Sequence, residues 1–167
     1  MSLHWRHLMR KRFSQTLHDE MAVNENICLI TADLGYGLWD RIRIDYPNRF
    51  FNVGSSEQLM IGMATGMAME GKIPVVYSIT SFLLYRPFEM IRNYLHHDKL
   101  PVKLIGGGRN KDYGYLGFTH WAEEDKKIMT VLDNIKIYHP EKESDLLASF
   151  PEIINNNSPC YLNLKRN

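Results

Sequence analysis

Residues 51–71 read FNVGSSEQLMIGMATGMAMEG. A short apolar run, residues 49–53, stops at Gly54, and two serines lead into an apolar segment opened by a carboxylate, Glu57. The pattern predicts a strand, a tight turn and a helix over 56–70. Ser55 as N-cap with Gln58 three residues on has the form of a capping box. An acid in the first turn suits the helix dipole. Taken locally, then, Glu57 reads as a helix-start acid. The helix it opens is less ordinary, because Gly62, Thr65, Gly66 and Ala68 line it with small side chains. Glycine inside a helix costs about 1 kcal/mol relative to alanine, so close approach of another element, such as a subunit contact, is expected to offset it. Such packing would also take Glu57 out of water.

Outward from this unit the same alternation continues. Residues 27–34, 73–79, 101–107, 135–139 and 159–164 have the length and the β-branched or aromatic content of buried strands. Several are apolar without a break, the mark of a parallel sheet covered on both faces. Helices are predicted over 3–22, 39–46, 81–97, 120–132 and 141–155, with prolines 47, 74, 101, 140 and 159 punctuating the changes. The expected fold is α/β: three layers, an open and mostly parallel sheet of about six strands, helices on both faces, one domain over 1–167. Ligands of such sheets sit beyond the carboxyl ends of the strands. There the longest loop, 106–118, is glycine-rich and leads to His120.

Composition narrows the function classes. Twenty Lys and Arg against nineteen Asp and Glu leave a formal charge of +1, which gives no field for nucleic acid or an anionic membrane. The basic start, HWRHLMRKR, reads as a solvated helix face. The two cysteines, Cys28 and Cys160, lie in apolar runs and read as buried thiols of a reducing, cytoplasmic compartment. No apolar run reaches the ~18 residues of a membrane span.

Among individual candidates, Phe82 and Tyr85 share a helix face directly after the third strand. They read either as core or as a wall for a flat heteroaromatic ring. His120 reads as a helix-start residue or a proton carrier. The His96–His97–Asp98 run lacks a third ligand and reads as surface. Gly106–Arg109 is not a Walker loop, since no Lys and Ser/Thr follow at the required spacing. Nucleophile elbows, Cys-x-x-Cys pairs and dinucleotide fingerprints are missing from the sequence.

Taken together, ADLG (32–35), YPNRFFNVGSSEQLMIGMATGMAMEGKIPVVYSITSFLLYRPFEMIRN (46–93) and GFTHWAEED (117–125) resemble the pyrimidine-binding domain of the transketolase family across nearly the whole chain. The resemblance implies the thiamine diphosphate-binding pyrimidine-domain fold. It also implies that Glu57 hydrogen-bonds the aminopyrimidine nitrogen of thiamine diphosphate, which requires a dry acid. Phe82 would stack on that ring and Tyr85 would line the same pocket, with Ile79 as an aliphatic wall. Asp33 matches an acid near the cofactor. His120 matches a histidine that binds the ketose oxygens or carries protons, and Arg166 an arginine that clamps a sugar phosphate.

The sequence also departs from the family. Leu116 stands where an acid should touch the sugar, Gly108 where an upstream histidine should be, and Trp121 where glutamine follows the histidine. Cofactor machinery is kept and substrate machinery altered. These 167 residues carry no Gly-Asp-Gly…Asn motif for Mg²⁺ and diphosphate. The resemblance therefore implies one half of a split transketolase, completed by a diphosphate-binding subunit that holds Mg²⁺ in an α₂β₂ heterotetramer, and acting on sugars or sugar phosphates. The rival implications are a deoxyxylulose-phosphate-synthase-like carboligase, the β subunit of a 2-oxo-acid dehydrogenase, and a scaffold that has kept the fold without the chemistry. The FNVGSSEQ block and the segment carrying Arg86 and Arg92 favour transketolase.

Overall fold

The structure is a computed structural model that describes residues 8–166. Six parallel strands form one sheet: β1 (Ile27–Thr31), β2 (Phe50–Asn52), β3 (Ile73–Ile79), β4 (Lys103–Gly107), β5 (Lys136–Tyr138) and β6 (Cys160–Leu164), in the order β2-β1-β3-β4-β6-β5. Every pairing is parallel. The strands β1, β4 and β6 are buried throughout, as their largely apolar sequences require, and the buried Lys103 and Asn163 are hydrogen-bonded. The two edge strands have three residues each and are partly exposed, so little unpaired backbone is offered to another chain.

Alternation along each strand divides the core in two. On one face Leu29, Val75, Tyr77, Ile105 and Leu162 pack against Phe13, Leu17 and Met21 of α1 (Leu8–Val23), Ile42 of α2 (Asp40–Asp45), and Phe150 and Ile153 of α7 (Glu143–Asn155). On the other face Ile30, Val76, Leu104 and Tyr161 meet Met60, Ile61 and Ala64 of α3 (Glu57–Met69). Leu83 and Leu84 of α4 (Thr80–Tyr85) and Ile91 and Leu95 join them there. The three layers match the expected fold. The first predicted helix is confirmed from residue 8 onward, and residues 3–7 lie outside the described part.

Two predicted helices are cut short. The 81–97 segment breaks after α4 at Arg86 and Pro87, because proline offers no N–H to continue the ladder. It resumes as α5 (Phe88–Met90) and passes into a π-wound turn, Ile91–His97. The 120–132 segment is helical only as α6 (Asp125–Met129), and His120 instead closes a 3₁₀ turn, Phe118–His120. Nor does the capping box form: Ser56, not Ser55, precedes α3, and no side chain caps it.

A buried polar cluster ties the long 108–125 loop to the sheet. Asp125, 3% exposed, accepts hydrogen bonds from Tyr161 Oη (2.7 Å), Asn163 Nδ2 (2.9 Å) and His139 Nε2 (2.9 Å). Arg109 lies against the same Asn163, donating to its Oδ1 (2.9 Å) and carbonyl (2.8 Å) and pairing with Glu141 (2.9 Å). Thr80 Oγ1 donates to the Gly108 carbonyl (2.7 Å), joining the start of α4 to the start of the loop. Buried polar groups bonded to one another in this way hold geometry, and His139 Nδ1 is left buried without a hydrogen-bond partner.

Burial works to raise the Asp125 carboxyl, but the bonds from His139 and Tyr161 outweigh it and hold the group below its ordinary range. The stability it contributes is therefore complete above the usual carboxylate pKa of about 4 and is lost as pH falls through the lower folded value. Asp125→Ala should lower the unfolding free energy by about 3–5 kcal/mol at neutral pH, because three donors lose their acceptor. Urea unfolding at pH 7 and pH 3 checks this: the gap from wild type should be largest at pH 7 and shrink below about pH 4.

Candidate functional site

The loop after β2 turns at Gly54, where φ is +71°, a left-handed conformation that glycine adopts without strain. That turn delivers Glu57 as the first residue of α3, and only 2% of it reaches solvent. A buried carboxylate needs partners. Ser78, near the carboxyl end of β3, donates to Oε1 at 2.8 Å, and Arg86, just past α4, donates to Oε2 at 2.6 Å. Neighbouring Ser55, Ser56 and Gln58 complete a cleft of about 460 Å³ that opens on the acid. The dryness that the sequence reading assigned to a subunit contact is thus supplied within this chain.

Phe82 follows β3 by one helical turn and is half-buried. Its ring meets the His120 imidazole edge-on, with centroids 4.8 Å apart. Arg86, four residues on and therefore on the same helix face, lays its guanidinium 3.9 Å from the Phe82 ring centre. Through Arg86 and His120, then, Glu57, Phe82 and the loop histidine form one continuous group. Ser81 fixes that loop by donating to the Thr119 carbonyl at 2.8 Å, and Thr119 Oγ1 lies 2.9 Å from His120 Nδ1.

Tyr85 and Asp33 stand further out. The Tyr85 phenol, 42% exposed, donates to Glu124 at 3.1 Å, and partial burial followed by that bond pushes it up to about 12. It faces the segment before α6. Asp33 is exposed at φ +55° and engages Tyr36 and Asn52 across the ends of β1 and β2.

Arg166 belongs to a second group beside His120. Its guanidinium lies 4.7 Å from the Tyr113 ring centre and 5.3 Å from that of Tyr115. Its backbone N–H is tied to Asp112 at 2.8 Å. The Tyr113 ring is 6.2 Å from His120, and its hydroxyl accepts from Arg10 at 3.3 Å. Arg10, counted in the sequence as part of a solvated face, instead reaches Tyr113 and Tyr77 at the site end of the sheet. Nothing local to residues 4–12 signals this, because the contact spans about a hundred residues.

Gly108 explains the glycine run. A Cβ there would lie 2.3 Å from the Tyr113 ring, and the residue has φ +92°. The neighbouring Gly106 and Gly107 likewise leave room for Thr80 and Tyr77, at 2.6 and 2.5 Å. These glycines admit side chains of this chain, not a phosphate. Leu116 is 43% exposed in the turn Gly114–Leu116.

A larger groove of about 640 Å³, lined by Cys28, Arg49, Met67, Glu70 and Lys72 among others, lies near the amino end of β1 and the carboxyl end of α3. It gathers no comparable set of acid, aromatic ring and histidine, and it sits at the wrong end of the strands for this fold's ligands. No cluster of three or more His, Cys, Asp or Glu able to hold a metal occurs among the described residues. No described helix is long and apolar enough to cross a membrane.

Comparison with known proteins places this geometry in context. The chain is 30% identical over 161 residues to the 6-deoxy-6-sulfo-D-fructose transketolase subunit SqwH of a Clostridium species, covering 96% of this chain and 50% of that protein. It is 35% identical over 156 residues to 1-deoxy-D-xylulose-5-phosphate synthase of Dehalococcoides mccartyi, covering 92% of this chain and 24% of that protein. A solved structure titled "Split gene transketolase, inactive beta4 tetramer" superposes with a TM-score of 0.82 at 30% identity, covering 95% of this chain and 51% of that one. The chain therefore spans about half the length, or less, of these relatives. Residues 7–167 match the family described as "Transketolase, pyrimidine binding domain", and the chain belongs to that family.

Proposed function

We propose that this chain is the pyrimidine-binding half of a thiamine diphosphate-dependent enzyme that transfers a two-carbon ketol unit from a ketose donor to an aldose acceptor. The observation that carries the reading is Glu57, an acid 2% exposed and fixed by Ser78, with Arg86 joining it to the Phe82 ring. A flat heteroaromatic ring with a basic nitrogen at its rim needs a face to lie on and an acid at its edge. Phe82 offers the first and Glu57 the second, so the residues present fit the cofactor's pyrimidine. When bound, the cofactor supplies an acidic ring carbon that adds to a carbonyl, chemistry no side chain offers.

The chain's own residues do the rest. Glu57 holds a proton at the ring nitrogen, and Ser78 keeps the carboxyl oriented while it does so. His120, next to Phe82 and on the substrate side, binds or protonates the donor's oxygens. Arg166, stacked on Tyr113 and Tyr115, takes an anionic end of the sugar. Tyr85 and Asp33 belong to the rim of the same end of the sheet and shape the approach. Mg²⁺ and the diphosphate fall to a second subunit in an α₂β₂ assembly. In support, one relative is named as a subunit, and the β₄ assembly of another is titled inactive.

Two measurements test this. Glu57→Gln in the reconstituted two-subunit enzyme is expected to lower turnover by about 10²–10⁴-fold with assembly unchanged by gel filtration. A small effect would remove Glu57 from the chemistry. Calorimetric titration of the chain alone with thiamine diphosphate and Mg²⁺ is expected to show no micromolar binding, because most of the cofactor's charge has no partner here. Tight binding to the lone chain would exclude the split arrangement.

A further inference from the structure

Arg86 makes two contacts that the site, read as above, reserves for the cofactor's ring. Its Nη1 donates to Glu57 Oε2 at 2.6 Å, and its guanidinium lies 3.9 Å from the Phe82 ring centre. A residue that served only to neutralise a buried carboxylate has no need of an aromatic face. One that served only to cover an aromatic ring has no need to reach an acid whose side chain is 1% exposed. A guanidinium is planar and carries N–H donors in its plane. It therefore meets a stacking surface and an edge-on acid as a protonated heteroaromatic ring does.

We propose that Arg86 is a placeholder for the pyrimidine ring: it fills the seat between Glu57 and Phe82 when the cofactor is absent and must leave for the cofactor to enter. This rests on the assignment of that seat under the proposed function. Two flat groups cannot lie on one ring face in one seat, so binding is an exchange. The exchange is mechanically simple. The Arg86 side chain is 44% exposed while Glu57 is enclosed, so the arginine can rotate into solvent without moving α3. Its backbone lies just past α4, where Pro87 already interrupts the helix. The arrangement spares the empty chain an unpaired buried carboxylate, a state proteins rarely tolerate. It also sets a threshold for loading, because the apparent affinity of any ring is reduced by the fraction of molecules in which the seat is open.

The test uses the complex with the diphosphate-binding subunit, Mg²⁺ present, and thiamine diphosphate affinity read by calorimetry. R86M removes both contacts of the guanidinium and is expected to bind the cofactor about tenfold or more tightly, while its cofactor-free form melts at a lower temperature than wild type. R86K keeps a cation for Glu57 without the planar face. It should fall between the two in both measurements, and it decides the matter alone if R86M does not fold. Unchanged or weakened binding in both variants, with Glu57→Gln and Phe82→Ala still weakening it, overturns the placeholder and leaves the site in place. If Glu57→Gln and Phe82→Ala also leave affinity unchanged, the seat itself is misassigned and the placeholder falls with it.

Discussion

Taking a carboxylate out of water costs several kcal/mol, and the cost is recovered only with close, well-aligned partners. Glu57 is such a carboxylate, and much of the local architecture serves it. The left-handed turn at Gly54 brings the chain around so that α3 starts under the sheet's carboxyl end. β3 contributes Ser78 from its buried interior, and α4, which follows directly, contributes Phe82 and then Arg86. Three consecutive elements thus converge on one acid. A small domain has no reason to bury a charge that its core does not need, and a helix-start acid on a solvated surface would serve the dipole equally well.

The second half of the site depends on holding a long loop still. Residues 108–125 have little regular structure, and a loop of that length would ordinarily be mobile. Here Asp125, Asn163 and Arg109 bind it to β6, Thr80 holds its start, and Ser81 holds Thr119 next to His120. The loop's start and Thr119 are therefore fixed to α4, which carries Phe82, and its far end to β6. The distance between the Phe82 and His120 rings depends on this network, which joins the loop's residues to α4 and β6.

How much of this was legible beforehand follows from the range of each interaction. The strands and the three-layer order could be read because apolar runs and proline punctuation are local signals. Glu57, Phe82 and His120 could be named because motif blocks carry them. The helix boundaries around residues 86 and 120 were missed. Pro87 acts on an otherwise periodic segment, and Gly117 with φ +80° redirects the chain before His120. Arg10 was missed for a different reason: its partners lie 67 and 103 residues away, and no pattern in residues 4–12 encodes them. The glycine run at 106–108 had no visible purpose in the sequence, because what it accommodates is side chains from β3, α4 and the loop itself.

That last point bears on the surface beside His120. At Gly108 the space a side chain would fill is taken by Tyr113, whose ring lies where a Cβ would clash at 2.3 Å. Tyr113 in turn carries Arg166 on its face and accepts a hydrogen bond from Arg10. The glycine at 108 therefore makes room for an aromatic residue from the loop, and two guanidinium groups meet that residue. Leu116, exposed on the same loop, offers no charge to repel an anion. Tyr113 and Tyr115 with Arg166 and Arg10 thus form a wall of tyrosine and arginine on this side of the sheet's end. Planar cations laid on aromatic rings in this way lose little freedom when they meet an anion.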